Sequence, residues 1–85
     1  MTAPDVAMVL TRREAQCLQL LASGLSNQEI SARLVISMPT VAMHIANARR
    51  RLGAKTREHA VALALSSGEI KIERPVPAAG DGPAP

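Results

Sequence analysis

The 85-residue sequence contains no Phe, Tyr or Trp, so its core must be built from aliphatic side chains and Met. Aliphatic residues bury less area than aromatic rings, which predicts a domain of modest stability. The lack of rings also argues against binding single-stranded RNA, because that recognition depends on stacking bases on aromatic side chains. A chain of this length holds one small domain, too small to enclose a sizeable catalytic cleft.

Cysteine is also scarce: Cys17 is the only one, so no internal disulfide can form, as is usual in a reducing compartment. We expect Cys17 to be a buried, unreactive residue, because no basic partner flanks it in its helix. The first residues lack the basic and apolar segments of a signal peptide, and no apolar run is long enough to cross a membrane. These features predict a cytoplasmic protein without membrane contact, and Met1 favours a complete chain.

Motifs for catalysis and metal binding are missing as well. Cys17, His44 and His59 fall on three different predicted helices. The spacings typical of zinc sites, nucleophile elbows and phosphate-binding loops do not occur. The sequence therefore predicts no enzyme, no metal and no cofactor.

What the sequence does contain is four sets of helix signals and no strand pattern, which predicts an all-α fold. A capping box, in which a Ser or Thr and a Glu three residues later cap each other's backbone amides, occurs twice. Two further helices begin at a Ser or Thr, one of them followed by a Pro in the first turn. The starting positions are Thr11 with Glu14, Ser26 with Glu29, Ser37 with Pro39, and Thr56. The stop signals are Gly24, Gly53 and Gly68.

Residues 26 to 53 carry the clearest pattern, since apolar residues recur at helical spacing in both predicted helices. The short corner between Leu34 and Ser37 is typical of a helix-turn-helix. Val35 is unexpected in that corner, where Gly often supplies a positive φ, so we expect a variant turn. Ser31 is predicted to matter for its small size, which lets the two helices cross closely.

Positive charge is concentrated in one part of the chain, although the net charge is only +3. Six cations and no acid lie between Glu29 and Glu58. Such a run is either a solvated helix surface or a set of contacts to DNA phosphates. The six are Arg33, Arg49, Arg50, Arg51, Lys55 and Arg57.

The fourth predicted helix has one apolar stripe formed by Ala60, Val61, Ala64 and Leu65. Ala62 and Leu63 are predicted to point away from that stripe. This leaves either an apolar surface that invites a partner or an isolated surface Leu that needs none.

The two ends of the chain have a different composition from the middle. Residues 1–9 have nothing to anchor them and are predicted to be a flexible arm. Residues 71–85 are rich in Pro and Gly and are predicted to be a disordered tail. The folded domain is therefore predicted over residues 10–70.

The segments LTRREAQCLQLLASGLSNQEISARLVIS and NARRRLGAKTREHAVALALSSGEI resemble the DNA-binding domain of LuxR-type (GerE-like) bacterial transcription regulators. The resemblance implies a four-helix domain that binds double-stranded DNA, with helix 3 in the major groove and helix 4 joining two copies on an inverted repeat. The implied dimer residues are Ala62, Leu63 and Ser66. The implied DNA-binding residues, in and after a helix-turn-helix from Asn27 to Ala46, are Asn27, Ser37, Thr40, Ala42, Met43, His44, Ala46, Asn47, Arg49, Arg50, Arg51 and Lys55.

Helical geometry around a buried Val41 predicts which side of helix 3 meets the groove. At 100° per residue, Pro39, Met43, Ala46 and Arg50 point outward, and Ala42 and Asn47 lie on the flanks. Relatives commonly carry Lys or another polar residue at the positions of Ala42 and Ala46. His44 is either a half-buried residue bonded to backbone or a contact to a DNA phosphate.

Two functions remain open at this point. The leading prediction is a sequence-specific regulator acting as a homodimer on the nucleoid, with RNA polymerase as a further partner. The alternative is an interaction module that pairs with a longer LuxR-type regulator and inhibits it. The outer surface of helix 3 discriminates between them, because only the first function needs that surface to read DNA.

Overall fold

The computed structural model describes residues 9–72. Most of the predicted arm and tail therefore lies outside the described residues. The described part has four α-helices and no strand, which confirms the all-α prediction. The helices are α1 (Arg12–Ala22), α2 (Asn27–Leu34), α3 (Met38–Leu52) and α4 (Arg57–Ser67).

The predicted caps start the helices. In α1, the Thr11 hydroxyl accepts from the Glu14 amide at 3.2 Å, and a Glu14 carboxylate oxygen accepts from the Thr11 amide at 3.0 Å. The same reciprocal pair links Ser26 and Glu29 before α2, at 3.1 and 2.8 Å. These bonds satisfy amides that have no partner within the helix, so they fix where each helix begins.

The core lies around α3, which contacts each of the other three helices. Its buried side chains, Val41, Ile45 and Ala48, follow the predicted helical spacing. Leu18 from α1 and Ile30 from α2 are fully buried with them. The remaining core residues are Leu10, Cys17, Ala54, Ala60, Ala64 and Ile70.

The turn between α2 and α3 corrects one prediction and adds a role for Ser31. Val35 adopts the left-handed conformation, with φ 57° and ψ 50°, so the turn has the backbone expected of Gly and is not a variant. Ser31 acts through its hydroxyl, which donates to the Ile36 carbonyl, while the Ile36 amide donates to the Ser31 carbonyl at 3.1 Å. The turn is therefore held by hydrogen bonds that size alone does not predict.

The two ends of the described chain are tied to α1 and to each other. Ile70 is buried, and the Leu10 amide donates to a Glu69 carboxylate oxygen at 2.9 Å. The Gln19 side chain accepts from the Lys71 amide at 2.9 Å and donates to the Lys71 carbonyl. Contacts with α1 thus extend to Lys71.

In the part of the chain that the structure describes, no helix is both long enough and apolar enough to span a membrane.

Candidate nucleic-acid interface

The N-terminus of α3 is held by Ser37, whose hydroxyl accepts from the Thr40 amide at 3.2 Å. The Ser37 and Thr40 hydroxyl oxygens are 2.8 Å apart, so the two side chains also bond to each other. The first turn of this helix contains Pro39 and no acidic residue. The positive end of the helix dipole is therefore not neutralised locally, which favours an anion nearby.

The outer surface of α3 agrees with the predicted groove side at most positions. Pro39, Ala42, Met43 and Arg50 are exposed. Ala46 is half-buried rather than outward, because the start of α4 lies beside it. That departure divides the predicted surface into an exposed first half and a second half that borders a groove.

The groove has a volume of about 460 Å³ and lies between α3 and the starts of α2 and α4. Three of its lining side chains carry positive charge, with the carboxylate of Glu58 beside them. Such a concave basic surface attracts phosphate groups. Its residues are Asn27, Ala42, Ile45, Ala46, Arg49, Lys55, Thr56, Arg57 and Glu58.

Arg57 joins the starts of α2 and α4 across this groove. Its guanidinium donates to the Asn27 side-chain oxygen at 2.6 Å, which leaves the Asn27 amide hydrogens free to donate outward. Sequence reasoning placed Asn27 in the site and Arg57 only in the basic run. The two are 30 positions apart, and no local pattern indicates that they meet.

The start of α4 is capped by the side chains of Thr56 and His59. The Thr56 hydroxyl accepts from the His59 amide at 3.0 Å, and the His59 ring accepts from the Lys55 amide at 3.0 Å. Lys55 itself stays exposed at the groove. Its backbone is thus fixed while its side chain can reach a phosphate.

The three consecutive arginines at the end of α3 have three different partners. Arg49 donates to the Ala54 carbonyl at 3.1 Å, and Arg50 donates to the Asn47 side-chain oxygen. Arg51 is directed to α1, where its Nε is 2.9 Å from a Glu14 carboxylate oxygen. Arg51, predicted as a DNA contact, thus has a partner within the domain, while its side chain is still 48% exposed.

Glu14 is a residue that sequence reasoning used as a cap and otherwise missed. It is 2% exposed, and its carboxylate bonds to both Thr11 and Arg51. Burial raises the pKa of the Glu14 carboxyl, but the hydrogen bonds from Thr11 and Arg51 and the Arg51 charge hold it below its ordinary value. The available signal was its place one turn before the buried Leu18, on the apolar side of α1.

Cys17 is fully buried, as predicted. Burial raises the pKa of its thiol, although the charge of Arg13 one turn earlier acts in the opposite direction. The prediction that no basic residue flanks it in the helix was therefore wrong, but burial dominates and the thiol stays protonated. Within residues 9–72, no group of His, Cys, Asp or Glu side chains is arranged to hold a metal ion.

The predicted dimer residues on α4 differ in exposure. Ala62 and Ser66 are exposed. Leu63 is half-buried and packs against the core, so the prediction that it points away from the apolar stripe is wrong. His44 is also half-buried.

Comparison with known proteins identifies relatives over most of the chain. Residues 8–64 match the family model for bacterial regulatory proteins of the luxR family. The spore germination protein GerE of Bacillus subtilis is 41% identical over 64 residues, which are 75% of this chain and 86% of GerE. The quorum sensing-dependent transcriptional regulator VjbR of Brucella abortus is 43% identical over 70 residues, which are 82% of this chain but 27% of VjbR.

Solved structures agree with the sequence matches. GerE superposes with a TM-score of 0.74 at 37% identity, covering 79% of this chain and 100% of the GerE chain. Vibrio cholerae VqmA, in a complex with a ligand and DNA, gives a TM-score of 0.67 at 32% identity, covering 78% of this chain and 30% of VqmA. The chain thus corresponds to nearly all of GerE and to about a third or less of the longer regulators.

Proposed function

Since this chain belongs to the luxR family of bacterial DNA-binding transcription regulators, we propose that it docks α3 in the major groove and binds an inverted repeat as a dimer. The observation that carries this proposal is the exposed first half of α3 beside the basic groove. An exposed helix flanked by cations matches the shape and the charge of DNA. The protein would act where the chromosome is, in the cytoplasm.

Phosphate contacts are proposed on both sides of α3. At its N-terminus, Ser37 and Thr40 lie at a helix end with no acidic residue in the first turn. On the other side, Asn27, Arg49 and Lys55 line the basic groove. Contacts on both sides of a helix would hold it in register on the two strands, while base edges between them supply the specificity.

Dimerisation is proposed through the exposed side of α4, at Ala62 and Ser66. VqmA, which this chain resembles over about a third or less of its length, forms a dimer and binds DNA, which supports pairing by analogy. A symmetric pair would place two copies of α3 about 34 Å apart, on successive turns of DNA. RNA polymerase and a longer LuxR-type regulator remain predicted partners, and the comparisons do not support the inhibitory-module alternative.

The test is to select duplexes from a random-core DNA pool and to measure binding stoichiometry on the recovered sites. We expect a preference of at least about tenfold over random DNA and two copies of the chain on each site. Ala62→Glu places a charge in the proposed interface, so it should reduce two-copy binding. Ala32→Glu makes the same change at an exposed position of α2 and should leave stoichiometry unchanged.

A preference below tenfold would rule out operator recognition. A selective complex containing a single copy of the chain would retain DNA recognition and rule out the dimer.

A further inference from the structure

We propose that this protein recognises its operator mainly through apolar contact with thymine methyl groups, with Ala42 and Met43 of α3 as the specificity-determining residues. The inference rests on the proposed docking of α3 in the major groove. It specifies which chemical group on the bases α3 recognises.

The first half of α3 exposes apolar side chains alone. Its exposed residues are Met38, Pro39, Ala42 and Met43, and 49% of the Met43 surface and 46% of the Met38 surface are accessible. Met38 and Ala42 are one turn apart on the same side of the helix, and Met43 lies next to Ala42. Together these four residues form the apolar strip.

Polar residues in this half of the helix are set back from the strip. Thr40 is half-buried and its hydroxyl bonds to Ser37, so it is already used at the cap. His44 is half-buried at the edge of the core. No long hydrogen-bond donor therefore extends from the strip toward a guanine or an adenine.

Donors further along α3 are few and are linked to each other. Arg50 is exposed two turns after Met43, and its guanidinium bonds to the Asn47 side-chain oxygen. Asn reads adenine by using its oxygen and its amide nitrogen together. Arg50 and Asn47 are then the hydrogen-bonding readers on α3, and both come after the strip along the helix.

The charges around the strip indicate what covers it. It begins at the uncompensated positive end of α3, and Arg49, Lys55 and Arg57 line the groove on one side. An apolar surface beside positive charge fits a polyanion that carries apolar groups. In the major groove of DNA that group is the C5-methyl of thymine, which an Ala methyl or a flexible Met thioether can contact closely.

The first test replaces thymine by uracil, which removes the methyl and leaves the Watson–Crick pairing unchanged. In duplexes recovered from the random-core pool, replacement within a half-site should weaken binding about fourfold for each contacted methyl. The same replacement in the flanking DNA is the control and should have no effect. Met43→Gln keeps the length of the side chain but replaces its apolar end, so it should reduce the thymine preference.

The second test adds a donor to the strip. Ala42→Lys should recover operators with a new guanine in each half-site, because a Lys in the groove reaches guanine O6 and N7. Ala32→Lys adds the same charge at an exposed site on α2 and should recover the original sequence.

Selective binding that is unchanged by uracil, with the same operator recovered by Ala42→Lys, would overturn methyl readout and leave the proposed function intact. Failure to recover any preferred duplex would overturn both methyl readout and the proposed function.

Discussion

The two halves of α3 belong to one continuous helix but serve different surfaces. The first half exposes Met38, Ala42 and Met43. The second half holds the consecutive arginines, and Arg51 among them bonds to a buried carboxylate on α1. A run of positive charge in a sequence can therefore combine residues that stabilise the fold with residues that stay exposed.

The difference follows from what each half packs against. The end of α3 lies beside α1, where Glu14 is buried and needs a cation. Arginines in the last turn also interact favourably with the negative end of the helix dipole. The first half packs into the core through Val41 and Ile45, and its outward side chains stay accessible.

Removing the carboxylate of Glu14, which binds Arg51 at the end of α3, should have the largest effect on the stability of the domain. Glu14→Gln is expected to lower the free energy of unfolding by about 1.5 to 3 kcal/mol, because it removes charged hydrogen bonds at a buried site. Urea unfolding measures this change in free energy. Glu29→Gln keeps a residue able to form the equivalent capping box at an exposed position, so it should have the smaller effect, below about 0.5 kcal/mol.

Lowering the pH provides a second test of the role of Glu14. Because the folded state lowers the Glu14 pKa below 4.5, its contribution is fully present above pH 4.5 and is lost as the pH falls through the lower folded-state pKa. The difference in stability between the parent and Glu14→Gln should therefore shrink below pH 4.5. A constant difference from pH 7 to pH 3 would contradict the role assigned to the ionised carboxylate.

Salt dependence of DNA binding should separate neighbouring arginines. Arg50→Ala is expected to lower the slope of log affinity against log salt by about 0.9 if it removes one phosphate contact, and by less if Arg50 reads a base. Arg51→Ala should leave that slope nearly unchanged and should instead reduce the free energy of unfolding. A slope lowered by about 0.9 in Arg51→Ala would show that the bond to Glu14 does not withdraw Arg51 from DNA.

The smallest expected effect is at the corner that precedes α3. Val35 has φ 57° and is 86% exposed, so Val35→Gly relieves strain without creating a cavity. Gly also gives the unfolded chain more conformational entropy, which offsets part of the gain. The expected net stabilisation is about 0.5 to 1 kcal/mol. Val35→Ala keeps a Cβ at positive φ and should give the smaller gain, as measured by thermal unfolding.

Local signals predicted the helices well. Thr11, Ser26, Ser37 and Thr56 start them as expected, because a cap acts within a few residues of its own position. The buried side of α3 also followed from its spacing. These features depend on neighbouring residues in the chain, which is the information that a sequence pattern contains.

Such patterns did not predict the long-range contacts. The bond from Arg51 to Glu14 spans 37 positions, and the bond from Arg57 to Asn27 spans 30. Helical periodicity gives the direction of a side chain but not the identity of the helix opposite. For the same reason Leu63 was predicted to be exposed, although it packs against the core.

The bond between Leu10 and Glu69 places the beginning and the end of the folded domain side by side, at 2.9 Å between the amide nitrogen and the carboxylate oxygen. Chain ends that meet in this way allow circular permutation, because a short linker can join them without distorting the core. Opening the chain at the exposed Gly24 would then move α1 from the front of the sequence to its back. In such a permutant α3 and the basic groove would precede the segment that supplies Glu14, so the order of synthesis would change while the architecture stayed the same.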